Sequence, residues 1–158
     1  TDFGLSIIAL FEQFRPSIYL DAVGRKTIGY GHLIKSGEHF DRPLTMDEAR
    51  DLLGSDAEEA SHGVDKYVSV PHALIGPRHD ALISWTFNLG VGNLAKSTML
   101  QRINEGAQDD EVVQEMIRWV HGKGKRLPGL VRRRYCEAIW YMGAPRPIIT
   151  AIARGEYK

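Results

Sequence analysis

Apolar positions at the start of the chain recur at helical spacing. Leu5, Ile8, Ala9 and Phe11 share one face, and Glu12 stands at its end, the pattern of a short amphipathic helix. Arg15-Pro16 closes it, because a residue before proline avoids the helical region. The texture then changes. Ile18, Tyr19, Val23, Thr27, Ile28 and Tyr30 are broken by Gly24, Gly29 and Gly31. Strand formers punctuated by glycine predict a small antiparallel hairpin sheet. At Thr45 the spacing to Glu48 is that of a capping box. The helix it opens runs through Leu52 and Leu53 into the acidic stretch from Asp56 to Glu59, linking an N-terminal lobe to the rest.

Beyond Val70-Pro71 the texture is helical throughout. Pro77 suits a first helical turn. Ala81, Leu82, Trp85, Phe87 and Leu89 form a thick apolar face that ends at Gly90. Ser97 is placed to cap a helix carrying Met99, Leu100 and Ile103, with Gly106 beyond its end. Val112, Val113, Met116, Ile117, Trp119 and Val120 form another. Leu130 to Met142 form a further one, stopped by Gly143 and Pro145. The pattern predicts an α+β chain, mostly helical: a small lobe with a sheet and a larger helical lobe. Helical spacing makes Trp85, Trp119 and Trp140 core residues.

Composition adds limits. At 158 residues the chain suits one domain or two small lobes, and it can bury a core without disulfide or metal. Cys136 is the only cysteine, so no intrachain disulfide forms, and its helical setting makes it a packing residue. No apolar run reaches the length of a membrane span. Phe3 to Phe11 is too short, and lacks the basic flank, for a signal peptide. A first residue of Thr rather than Met is compatible with a trimmed initiator or export segment.

The net charge is zero, so no nucleic-acid partner is expected from whole-molecule attraction. The distribution is uneven: residues 1–65 carry 6 Lys/Arg against 12 Asp/Glu, and residues 66–158 carry 14 against 8. Arg118, Lys123, Lys125, Arg126, Arg132, Arg133 and Arg134 follow one another with no acid between Glu115 and Glu137. Such a run fits an anionic wall or membrane surface, and equally a solvated helix flank.

Few residues are placed for chemistry. The six histidines do not pair at ligand spacing, so no metal is expected. Gly90-Val91-Gly92 follows a helix and is no phosphate loop, and no serine sits in a nucleophile elbow. The chain shows no cofactor signature. Glu12 stands beside Phe11 and Phe14. Apolar surface disfavours the charged form of a carboxyl, the condition a general acid uses near neutral pH. Asp21 follows nine residues later and Thr27 six beyond that, and a hairpin can face both toward the end of the first helix. One acid and one carboxylate across a cleft is a glycosidase arrangement. On spacing alone, a surface Glu and a turn Asp fit the same pattern.

The strings themselves are more specific. Phe11-Glu12-Gln13-Phe14-Arg15, Tyr19-Leu20-Asp21 and Thr27-Ile28-Gly29-Tyr30-Gly31-His32 resemble the phage-type lysozymes, glycoside hydrolase family 24. The resemblance continues through Asp80-Ala81-Leu82, Phe87-Asn88-Leu89-Gly90-Val91-Gly92, Ser97-Thr98-Met99-Leu100 and Arg118-Trp119. Pro128-Gly129-Leu130-Val131-Arg132-Arg133-Arg134 is similar to the C-terminal helices of the lambdoid-prophage branch. One departure is Gln13, where most members have glycine.

The resemblance implies one lysozyme-like domain over 1–158, with a cleft between lobes at about 13–60 and 1–12 plus 61–158. It implies an endolysin that hydrolyses β-1,4 bonds between N-acetylmuramic acid and N-acetylglucosamine in peptidoglycan. Glu12 would protonate the glycosidic oxygen. Asp21 and Thr27 would hold a water on the opposite face and invert the anomeric centre, with the carboxyls about 6.5–9.5 Å apart. Leu33, Phe87 and Ser97 would line the saccharide cleft, although the apolar face of its helix makes Phe87 equally a core residue. Arg15 would pair with a buried acid or a backbone carbonyl near Glu12, and His32 would be structural. An endolysin of this kind is a monomer made in the host cytoplasm. It acts on the periplasmic wall, with a holin as the default export partner. The alternatives are a lytic transglycosylase, a basic module that disrupts wall or membrane without catalysis, and the killing domain of a bacteriocin.

Overall fold

The computed structural model describes residues 1–21 and 24–156. Val23, one of the strand formers, lies outside them. Helix α1 spans Asp2–Glu12, and the Thr1 hydroxyl caps it by accepting from the Gly4 N–H. It ends before Arg15-Pro16, at Gln13, whose φ of 59° and ψ of 142° are a conformation that glycine adopts freely and a side chain strains.

Three strands follow: β1 Arg15–Leu20, β2 Lys26–Gly29 and β3 His32–Leu33. They form one antiparallel sheet in chain order, with Tyr19 opposite Thr27 and Ile28 opposite His32. Pro16 is tolerated because β1 is an edge strand, where a missing N–H costs no ladder bond. A shift of register between Arg15 and Tyr19 bends this edge. The hairpin sheet expected from the glycine-broken pattern is therefore present, with a third short strand.

Helix α2, Met46–Tyr67, has both bonds of the expected capping box: Glu48 N donates to Thr45 Oγ1 and Thr45 N to Glu48 Oε2. It buries Ala49, Leu53, Ala57, Ala60, Gly63 and Val64 along one face. Its start packs on the sheet, where a Cβ at Gly29 would lie 3.3 Å from that of Ala49. Its far end approaches the helix that begins at Val91 so closely that a Cβ at Gly63 would sit 2.5 Å from a Val91 methyl.

A single 3-10 turn, Pro71–Leu74, leads to α3, Gly76–Leu89, with Pro77 in its first turn. Every residue of α3 from Asp80 to Thr86 is buried, so it is the central helix, with α2 and α7 packed on it. Around it lie α4 Val91–Ala95, α5 Thr98–Asn104, α6 Asp109–Met116, α7 Pro128–Tyr141 and α8 Arg146–Arg154. The expected helix over 112–120 stops at Met116. Its last residues lead instead into a two-stranded hairpin, β4 His121–Gly122 and β5 Lys125–Arg126. Helix α8, which the pattern did not single out, packs against α1 and α7.

Trp85 and Trp140 are buried, as expected, and Trp119 is half-buried edge-on to Trp85 with ring centroids 5.3 Å apart. Cys136 is buried too, and burial pushes its thiol up to about 12, the state of an inert packing residue. Among the described residues no helix is long and apolar enough to cross a membrane.

Candidate active site

Glu12 ends α1, where the first helix meets the sheet. Its Oε1 accepts from Arg133 Nη1 at 2.5 Å, and its side chain keeps one fifth of its surface exposed. The setting is thus an ion pair rather than the apolar pocket suggested by Phe11 and Phe14. The Arg133 guanidinium lies 5.2 Å from the Phe11 ring, so the aromatic neighbour packs on the partner of the acid. The partner of the acid comes from 121 positions away in the sequence. Arg15 opens β1 opposite Gly29, and its side chain is exposed and stacks over Tyr19 at 4.5 Å.

On the sheet side, Gly31 approaches the acid. A Cβ there would lie 3.2 Å from Glu12 Oε2, and the residue holds φ at 82°. The backbone conformation favours glycine, and a side chain there would have to displace the Glu12 carboxyl. Tyr19 is half-buried on β1. Burial raises its phenol; Arg15 opposes this, and Glu12 and Asp21 both add to it.

Asp21 closes the β1–β2 turn. Its Oδ1 accepts from the Arg25 N–H at 2.9 Å and its Oδ2 from Arg25 Nε at 2.8 Å. Thr27 is directly across from Tyr19 on β2, is buried, and donates its hydroxyl to the Arg25 carbonyl at 3.1 Å. Arg25 thus holds both residues by separate groups. It was not singled out in the sequence, although its i,i+4 spacing to Asp21 was readable.

The remaining residues separate. Leu33 is partly exposed at the end of β3, and Phe87 is half-buried in α3 against the core. Ser97 is buried; its Oγ donates to the Leu94 carbonyl and accepts from the Leu100 N–H. Its hydroxyl serves the cap that the sequence indicated. Ser97 also lines a concavity of about 430 Å³ with Lys96, Thr98, Glu115, Arg118, Trp119 and His121. His32 is buried between two carboxylates, Asp56 on α2 and Glu38, at 2.8 and 3.0 Å. Burial works against its charge, but Glu38 and Asp56 outweigh it and raise its pKa. Both ring nitrogens face acceptors, so both must donate, and the residue is a structural clamp.

Beneath Glu12 lies a buried polar cluster that the sequence reading missed. Arg133 Nε donates to Glu137 Oε1 at 3.1 Å, and Ser84 Oγ donates to the same oxygen at 2.7 Å. Arg134 reaches Asn88 Oδ1 at 2.7 Å and lies 3.2 Å from Glu137 Oε2. Burial works against the Arg133 charge, yet Glu12 and Glu137 hold it above the ordinary guanidinium range. Burial moves Arg134 the other way. Breaking such a set by removing one partner costs about 3–5 kcal/mol. Arg133, Glu137 and Trp140 are spaced four and three residues apart, which puts them on one buried face. That spacing was the available signal.

The same burial corrects the basic run. Arg133 and Arg134 are 4% and 0% exposed, so neither can meet an anionic surface. Arg133 is paired with Glu12 and Glu137, and Arg134 with Glu137 and the Asn88 side-chain oxygen, inside the molecule. Arg118, Lys123, Lys125, Arg126 and Arg132 remain exposed, with Arg118 paired to Glu115.

A small sheet and a helical assembly, joined by a long helix and carrying an acid at the end of the first helix, define the lysozyme-like α+β fold class. The comparisons agree. The phage lysozyme family model matches residues 9–137. The endolysin of Bacillus phage B103 is 35% identical over 141 residues, covering 88% of this chain but only 52% of its own length. The endolysin of Acyrthosiphon pisum secondary endosymbiont phage 1 is 30% identical over 145 residues, covering 89% of this chain and 96% of its own. The muramidase domain of SpmX from Asticaccaulis excentricus superposes with a TM-score of 0.80 at 30% identity, covering 91% of this chain and 97% of that domain. The chain belongs to the phage lysozyme family.

Proposed function

We propose that this protein is an endolysin: a muramidase that hydrolyses the β-1,4 bond between N-acetylmuramic acid and N-acetylglucosamine in peptidoglycan. The observation that carries this reading is Glu12 at the end of α1, closely approached by Gly31 of the sheet segment, with Asp21 and Thr27 of the same sheet segment both tied to Arg25. Glu12 donates a proton to the departing glycosidic oxygen. The carboxylate left behind is met by Arg133, a preformed positive group where charge develops. Asp21 accepts a proton from the attacking water, and the Thr27 hydroxyl orients that water. Attack from the face opposite the leaving group inverts the anomeric centre.

The substrate lies between a sheet lobe of about 13–60 and a helical lobe of 1–12 plus 61–158. Leu33 contacts it from the first, and Phe87 and Ser97 from the second. Catalysis draws on no cofactor. The enzyme is made as a monomer in the host cytoplasm and reaches the periplasmic wall with the help of a holin. Lys125, Arg126 and Arg132 give the exposed basic face an affinity for anionic wall polymer that added salt should weaken.

The products of digested peptidoglycan test the chemistry. Hydrolysis leaves muramic acid reducing ends that have gained a water, read by mass spectrometry. Anhydro ends would show a lytic transglycosylase instead. Intact strands in lysed cells would leave a non-catalytic basic module.

A further inference from the structure

Glu137 is the one acid of the buried cluster that the muramidase chemistry does not use. It is 0% exposed, lies on α7, and is held by three groups from two helices: Ser84 Oγ, Arg133 Nε and the Arg134 guanidinium. Arg133 is nearly as buried and forms a bridge. Its Nε donates to Glu137, its Nη1 to Glu12, and its Nη2 to the Ser84 carbonyl at 3.3 Å. A guanidinium is planar and its donors are fixed relative to one another. Fixing Nε and Nη2 therefore fixes where Nη1 points, and Nη1 points at the acid.

We propose that Glu137 is a positioning residue for the reaction: it anchors Arg133 so that Nη1 meets Glu12 Oε1, and it balances the charge that Arg133 and Arg134 bring to the acid. The inference rests on the reading of Glu12 as the proton donor. With Glu12 ionised, the cluster holds two arginines and two glutamates. With Glu12 protonated, as the donor must be, Glu137 alone offsets two buried guanidinium groups. Remove its charge and both arginines act on Glu12 unopposed, which favours loss of the proton that Glu12 must deliver. On the sheet side, half-buried Tyr19 of β1 feels the charges of Arg15, Glu12 and Asp21. Arg132 lies over the Phe11 ring at 6.0 Å.

The test is the pH profile of peptidoglycan hydrolysis by the whole chain and by E137Q, which keeps the shape and an acceptor for Ser84. The alkaline limb of kcat/KM should move down by about one pH unit. kcat at the optimum should fall about tenfold, with KM unchanged and the fold intact by circular dichroism. A second variant, R134M/E137Q, removes one charge of each sign. Its alkaline limb should return to the wild-type position while kcat stays low, because a neutral glutamine oxygen holds Arg133 Nε less firmly than the carboxylate does. If E137Q does not fold, the low kcat of the neutral double variant carries the test. Wild-type kcat in either folded variant overturns the proposal, as does an unmoved alkaline limb in folded E137Q. Wild type and E12Q run alongside separate the two questions. An inactive wild type or an active E12Q defeats the muramidase reading, whatever Glu137 does.

Discussion

At the scale of residues, two backbone positions frame the acid. Gln13 follows it at positive φ, a conformation that glycine adopts without strain. The chain keeps a side chain at that strained turn, and Gln13 is exposed, so no packing forbids it. Gly31 is the opposite case, because the strain and the contact coincide. Gly31→Ala should cost about 1 kcal/mol or more of stability. It should also lower kcat about tenfold or more by pushing the Glu12 carboxyl aside. Thermal melts and initial rates check both; an active, equally stable variant would show that the turn does not constrain the acid. Legibility at this scale followed distance along the chain. Glu12, Asp21 and Thr27 lie within one short segment and could be read together. Arg133 lies 121 residues from its partner, and a single periodic pattern cannot pair such positions.

Among elements, the junction of sheet and α2 is fastened by His32. Asp56 comes from α2 and Glu38 from the loop after β3. The folded-state pKa of His32 is raised. The stability from its charged form is complete below the unfolded value of about 6.5 and fades as pH rises through the higher folded value. Melting temperature should therefore decline with pH above about 6.5 in the wild type and much less in His32→Asn. Parallel curves for the two proteins would contradict the clamp. The elements themselves were unevenly readable. Capping chemistry at Thr45 and Ser97 gave two helix starts, and α3 was visible from its apolar face. Strands β4 and β5 were not, because His121-Gly122 and Lys125-Arg126 carry no hydrophobic alternation. The turn between them, Lys123-Gly124, takes positive φ at both residues as primed hairpin turns do, but with a lysine where Asn or Asp is the usual signal. Helix α8 carries Ile148, Ile149 and Ile152 at helical spacing, yet lies beyond a Gly-Ala-Pro break that reads as an end.

For the whole molecule, the chain closes on itself at the site. Helix α7, near its end, supplies the partner of an acid near its beginning, and α8 packs back on α1. The uneven charge along the sequence is partly spent in this closure, since two of the seven cations in the basic run are internal. That was invisible to a charge count, which weighs a buried arginine and an exposed one alike. The α+β character and the linking helix were legible, because they rest on local period and capping. The direct measurement of the central reading is the clearing of purified, outer-membrane-stripped Gram-negative cell walls by the wild type and by Glu12→Gln, followed as turbidity. The substitution keeps the shape of the side chain and removes its transferable proton. Clearing by the wild type and none by the variant is the expected result; equal clearing by both would show that Glu12 is not the acid and that lysis comes from elsewhere.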